Sequence, residues 1–515
     1  MSQNTSYGAV ASGLRARPSL TFLKTLFRPM WVILGLLTAL SISVFVVLLI
    51  NQLNFPLNLE EMEGTILQHV RRLAAGLPIY VQPSPEFVPL AYNPLYYLIS
   101  IPFGWVFGLN LTALRLLATL ALVGCGVLMY FIVARHAESK RWGLVAAGLF
   151  AASYRAMDAY LNGVHADSWF LFTVLLGSYV IDLNRSRRWN ITGFLVLVSA
   201  FWFKQHGALF VVGGVLYLTW REGIKSSLVY WILAAILGPF LYWFIAPIFL
   251  GDYMRYFTLD VPGSWSVLRL STIFRIIEHV LRWFPILAVM SVVELLGKVW
   301  RDYHRLSIWH VQLLFAVMSG FMGVMDPGSS DNIFAAMDTF FILMGVLGLY
   351  RLFTRPNTVY RLFALAVLSL CFVFLAYNPL NFVVSPAAHE KYDEFVGFLK
   401  SLDGTVYAPQ LGQLDRGFEL YPTLNWVAIE DLVRGPDHTV TDDPLTRELL
   451  DPLINPTGTT YVLTNIQLER DRLLLFLTDY YVLETDLGNR FEPLSALEHR
   501  FSIGWPRYLY RYEPS

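Results

Sequence analysis

The chain reads as a polytopic α-helical membrane protein of about 11 transmembrane helices with a small C-terminal α/β domain. Three observations predict this. Of its 515 residues, 56% are apolar and only 15% charged, and the mean hydropathy is +0.50, far above a soluble average. The charges cluster between apolar runs, several of which approach the length needed to cross about 30 Å of hydrocarbon. After about Ser385 the pattern changes to that of a soluble domain. Net charge is zero, so nothing suggests a nucleic-acid partner, and none is expected. Cys125 and Cys371 lie inside apolar runs and read as small core residues, not as a disulfide or a reactive thiol.

Residues 1–29 form a tail with Arg15, Arg17, Lys24 and Arg28, which the positive-inside rule keeps in the cytoplasm. The first span, about 30–50, has no small-residue cleavage site after it and reads as an uncleaved anchor. Ten further spans are expected at about 111–134, 142–160, 166–183, 189–203, 207–220, 227–250, 280–298, 307–325, 333–353 and 360–380. The apolar stretch 92–109 is interrupted by Pro94, Pro102 and Gly104, and is expected to lie along the interface without crossing. With that assignment the basic loops around Arg135, Lys140 and Arg141, Arg185 to Arg188, Arg221 and Lys225, Lys298 to Arg305, and Arg351 to Arg361 all fall inside. The loop 51–110 and the segment 251–279 then face outside, with residues 30–384 as the membrane domain and 385–515 as an external domain. In that domain Glu390 to Leu402 has helical periodicity, and 404–407, 459–463 and 507–511 read as strands.

This topology collects the unusual polar residues on one side. The first loop carries Glu60, Glu61 and Glu63, followed by Tyr92, Tyr96 and Tyr97. Arg115 opens the second span, His165 and Asp167 open the fourth, Lys204 and His206 follow the fifth, and Asp331 and Asn332 precede the tenth. Each has an ordinary reading alone: solvated loop carboxylate, snorkelling cation, helix cap or interfacial aromatic. Their shared sidedness points instead to a wet, two-signed pocket at one membrane face. Carboxylate acid/base chemistry beside cations is the economical mechanism. No HExxH, no paired His/Cys spacing, no nucleophile elbow and no Gly-rich phosphate loop occurs. No cofactor is required by the sequence; three neighbouring carboxylates can hold a divalent cation through oxygen, and the metal, if any, stays unknown.

Glu61-Met62-Glu63-Gly64, the run Val70 to Tyr80 ending Gly76-Leu77-Pro78-Ile79-Tyr80, and Tyr92-Asn93-Pro94-Leu95-Tyr96-Tyr97 together resemble the first external loop of GT-C superfamily glycosyltransferases, especially protein O-mannosyltransferases and lipid A aminoarabinose transferases. Arg115, Asp167 and Lys204 resemble further positions of that family. The family's acidic pair aligns with Met62-Glu63, so Glu61 stands in for the first acid from one residue earlier. The resemblance implies a membrane glycosyltransferase. Its donor would be a polyprenyl-phosphate sugar held in membrane lipid, its acceptor a glycan, lipid or protein, and its place the bacterial plasma membrane with the active site and C-terminal domain extracytoplasmic. Glu63 or Glu61 would be the general base of an inverting transfer. Arg115, Lys204 and His206 would hold the donor phosphate. Glu60, Tyr92, Tyr96, Tyr97, His165, Asp167, Asp331 and Asn332 would contact substrate. The rival reading is a membrane transporter or lipid flippase without transferase chemistry, which calls for broken helices and midplane charges.

Overall fold

The computed structural model describes residues 25–326, 328–433, 444–495 and 504–513; the tail residues Arg15, Arg17 and Lys24 lie outside them. The helical part begins with α1 (Phe27–Leu53), whose outward residues are apolar. The loop that follows contains two helices, α2 (Glu63–Ala74) and α3 (Leu95–Phe107). Helix α2 is amphipathic, burying Ile66, Leu67 and Val70 and leaving Arg71 and Arg72 at its basic C-terminal turn, where they oppose the helix dipole. Helix α3 fills the stretch expected along the interface. Its Tyr96 and Tyr97 are buried, and Trp105 and Val106 are over 70% exposed.

The bundle continues with α4 (Leu111–His136), α5 (Lys140–Ala152), α6 (Asp167–Leu183), α7 (Arg187–Phe203), α8 (Gly207–Glu222) and α9 (Ile224–Leu250). Capping follows the sequence: the Asn110 side chain accepts from Ala113 N–H to start α4, and Ser186 does the same for Trp189 at α7. Then come α10 (Leu270–Trp283), α11 (Pro285–Asp302), α12 (Ile308–Gly323), α13 (Ala335–Phe353) and α14 (Thr358–Phe374). Helices α6 and α7 meet at Gly177 and Gly193; a Cβ on Gly177 would lie 2.7 Å from the Gly193 carbonyl. Such small-residue contacts bring helix backbones together where lipid offers no hydrophobic drive. Large apolar side chains stay exposed around the bundle, Ile50, Trp105, Ile248 and Phe249 among them, the surface a bilayer covers.

The count of eleven spans is not confirmed. Among the described residues four helices are long and apolar enough to cross a membrane: Phe27–Leu53, Leu111–His136, Ile224–Leu250 and Asp331–Phe353. A fifth arises only if Leu270–Trp283 and Pro285–Arg305 are taken as one span, and these are bent by 101°. Pro285 starts a new helix there, so the expected 280–298 span is broken at its first turn. The expected 142–160 span stops at Ala152, and Asp158 and Ala159 take left-handed backbone (φ 66° and 52°), which a continuing helix cannot accommodate. Helices α5 to α8, α12 and α14 have 13–17 residues, short of the roughly 20 that span hydrocarbon without help.

The C-terminal part opens with α15 (Ala388–Ser401) and β1 (Thr405–Tyr407), followed by α16 (Trp426–Val433) and α17 (Pro444–Ile454). Strands β2 (Thr460–Thr464), β3 (Tyr481–Asp486) and β4 (Tyr508–Tyr512) complete a sheet of order β1-β2-β4-β3. β1 pairs parallel to β2, and the other pairs are antiparallel. β3 was not expected from the sequence. It is an edge strand exposed along nearly its whole length, so it lacks the alternation that marks a half-buried strand.

Candidate active site

The acidic loop is pinned by its third carboxylate. Glu63 is fully buried, and Arg115 approaches it with Nε 2.9 Å from Oε1 and a terminal guanidinium nitrogen 2.5 Å from Oε2. Glu63 also accepts from Leu59 N–H (2.7 Å) and Val164 N–H (2.9 Å). The Arg115 guanidinium donates to the Phe55 and Leu57 carbonyls as well. Both groups are thus saturated, and together they tie the loop to α4 and to the turn before α6. Neither lines the cavity described next.

That cavity, about 240 Å³, is walled by Glu60, Glu61 and Tyr92 from the first loop, by Tyr160 from the segment between α5 and α6, and by Lys204 and His206 from the turn between α7 and α8. Trp265, Asp326, Ser329, Ser330 and Asn332, and Trp426, Glu430 and Asp431 of α16 close the remaining sides. Glu61 is half-buried, and its backbone carbonyl accepts from Asn425 Nδ2 at 2.7 Å. Behind the wall runs a charged chain. Glu60 Oε2 accepts from Met62 N–H, and its Oε1 lies 3.3 Å from His165 Nε2. His165 Nδ1 is 3.5 Å from Asp167, whose other oxygen meets Lys204 Nζ at 2.5 Å. The Tyr160 hydroxyl bonds His165 Nε2. Burial disfavours the His165 cation, but the Glu60 charge and the contacts with Asp167 and Glu60 outweigh it and push its pKa up to about 9. His206 goes the other way: burial, then the Lys204 charge, lowers it to about 4. It is therefore a neutral hydrogen-bonding group near pH 7, with Nδ1 3.4 Å from Ser319 Oγ.

The structure brings together Glu60, Glu61, Tyr92, His165, Asp167, Lys204, His206 and Asn332. Five expected residues are elsewhere: Glu63 and Arg115 in the buried pair described above, and three more. Tyr96 donates to the Leu114 carbonyl, Tyr97 stacks on His69, and Asp331 pairs with Arg275 at 3.0 Å. Sequence reasoning missed Tyr160, Trp265, Trp426, Glu430 and Asp431. Trp265, whose Nε1 donates to the Asp431 carbonyl, sits in a Pro-Gly-Ser-Trp run of a loop already expected on this side, which was the available signal. Among the described residues no group of three or more His, Cys, Asp or Glu side chains is arranged to hold a metal ion.

The C-terminal domain is clasped to the same loop. Asn58 Nδ2 donates to the Leu411 carbonyl (3.0 Å), and Thr423 N–H to the Pro85 carbonyl (2.9 Å). A Cβ on Gly64 would lie 2.2 Å from the Gln413 carbonyl oxygen, so the backbones touch there.

No family model and no curated protein matches the chain. Several solved structures do. ArnT from Cupriavidus metallidurans bound to undecaprenyl phosphate is 14% identical with a TM-score of 0.47, covering 93% of this chain and 97% of that one. The Archaeoglobus fulgidus oligosaccharyltransferase in complex with Zn and sulfate is 14% identical with a TM-score of 0.47, covering 87% and 71%. The arabinosyltransferase EmbB from Mycobacterium smegmatis is 12% identical with a TM-score of 0.39, covering 93% and 46%. All three are glycosyltransferases of the GT-C superfamily.

Proposed function

We propose that this chain is an integral-membrane glycosyltransferase that moves a sugar from a polyprenyl-phosphate donor to a hydroxyl acceptor at the extracytoplasmic face of a bacterial plasma membrane. The carrying observation is the cavity itself: carboxylates, one lysine and aromatic faces meet in it, in a helical bundle whose outer surface is apolar. The first-loop motifs support the donor class. Glu61, lining the cavity, takes the proton of the acceptor hydroxyl. The freed oxygen forms a bond to the anomeric carbon as the bond to the donor phosphate oxygen breaks, with inversion. Lys204 faces the phosphate that leaves and offsets its growing charge, while Asp167 and His165 hold the ammonium in place. Glu63 and Arg115 position the loop and touch neither substrate. Trp426 and Trp265 offer faces for sugar packing. A transporter calls for charges at the bilayer midplane, whereas these gather at helix ends.

The test is transfer of labelled sugar from a defined polyprenyl-phosphate donor in proteoliposomes. Glu61→Gln removes the proton acceptor at constant shape, and at least a hundredfold loss of turnover is expected, the lower end of general-base contributions. Wild-type turnover in that variant rejects the assignment.

A further inference from the structure

A second site lies at the other end of the bundle. Helix α4 starts beside the Glu63–Arg115 pair, and its 26 residues at a rise of 1.5 Å carry the chain about 39 Å away to the α4–α5 turn. There a groove of about 900 Å³ runs along α1 against the first turns of α5. Val32, Ala39, Ile42, Leu144 and Val145 give it apolar walls. Its floor is open at Gly35, where an added Cβ would meet nothing within 4 Å. Arg28 and Arg141 both line it. The Arg141 guanidinium lies 5.7 Å from the ring centre of Trp31, one helical turn after Arg28. Among the described residues no carboxylate lies within ion-pair distance of either.

The two halves of this groove call for two kinds of ligand atom. An apolar channel on a surface that faces hydrocarbon does not stay empty, because its lining would forfeit dispersion contacts that an acyl chain restores. Guanidinium groups lining one groove without a counter-charge attract an oxyanion, and phosphate accepts their N–H groups in pairs. Basic pockets between membrane helices take anionic lipid headgroups for this reason. We infer that the α1/α5 groove binds an anionic phospholipid, with an acyl chain along α1 past Gly35 and the phosphate between Arg28 and Arg141. This site requires the bilayer but not the transfer chemistry, and it lies in the leaflet opposite the cavity.

The test uses the full chain in nanodiscs of phosphatidylcholine with a minor share of phosphatidylglycerol. Lipids that stay with the protein after delipidation are counted by mass spectrometry. Wild type is expected to retain phosphatidylglycerol preferentially. Arg28→Gln with Arg141→Gln should lower that retention by at least tenfold, the effect of losing one charge-assisted hydrogen bond. Gly35→Phe places a ring in open space within the groove, without strain on the helix, and should displace the chain with both arginines intact. Equal retention of the two lipids by wild type overturns the proposal. So does loss of retention in the arginine variant with none in Gly35→Phe, since that marks a headgroup contact without a groove ligand.

Discussion

Glu61 and Glu63 are two residues apart, yet their substitution should read out differently. Glu63→Gln leaves the Arg115 charge buried without its partner, and breaking a buried pair in this way costs about 3–5 kcal/mol. A lowered unfolding temperature and poor yield are expected, whereas Glu61→Gln should lose turnover at unchanged stability. Thermal unfolding of both purified variants decides this; a stable, inactive Glu63→Gln protein would return the base role to Glu63. His165 gives a pH signature. Its folded pKa of about 9 lies above its ordinary 6.5, so the stability it contributes is complete below about pH 6.5 and is lost as pH rises through 9. Unfolding temperature measured from pH 6 to 10 should fall over that window, and His165→Gln should flatten the slope. The carboxylates and cations themselves were legible in the sequence because ionisable groups beside apolar runs stand out. Their pairing was not: Glu63 and Arg115 are 52 positions apart, and no periodicity links them.

At the scale of elements, the loop between α1 and α2 is shaped by contacts from the loop after β1. Gly64→Ala would drive a methyl group into the Gln413 and Leu411 carbonyls, 2.2 and 2.8 Å from the new carbon. Overpacking of this kind costs about 1–3 kcal/mol. The backbone must give, so limited proteolysis should cut more readily between α14 and α15, and an unchanged digestion pattern would show that the contact is slack. Asn425→Ala removes the donor to the Glu61 carbonyl without touching the cavity charge. Turnover should fall by roughly three- to tenfold with KM little changed, in line with about 0.5–1.5 kcal/mol for one hydrogen bond. Apolar runs announced most of the helices and two features of the C-terminal domain, α15 and the buried strands. They did not announce α16, the helix that supplies Trp426 and Glu430 to the cavity, because eight residues carry too little pattern. Asp442 and Asp443, whose Pro-rich polar stretch reads as solvated, lie outside the described residues.

For the whole molecule, the orientation proposed from charge bias has a direct check. Cysteines placed at Lys204 and Asp331 should label from outside the cell, and cysteines at Arg141 and Arg187 should not. External labelling at Arg141 would overturn the orientation and restore 92–109 as a crossing segment. The division into an apolar bundle and a polar C-terminal part was legible, since composition alone separates them. The number of crossings was not. Short helices, one 101° bend and an unwound stretch after Ala152 are set by packing, which a hydropathy pattern does not register.

The clasp between Asn58 and Leu411, and between Glu61 and Asn425, joins positions 353 and 364 residues apart. At a synthesis rate of about 5–20 residues per second, the acidic loop leaves the ribosome on the order of 20–70 s before the segment that shapes it. During that interval the cavity lacks the wall that Trp426, Glu430 and Asp431 supply. On the proposed function, the site is complete only once the segment carrying Asn425 and Trp426 has been made, so transfer should lag insertion of the acidic loop.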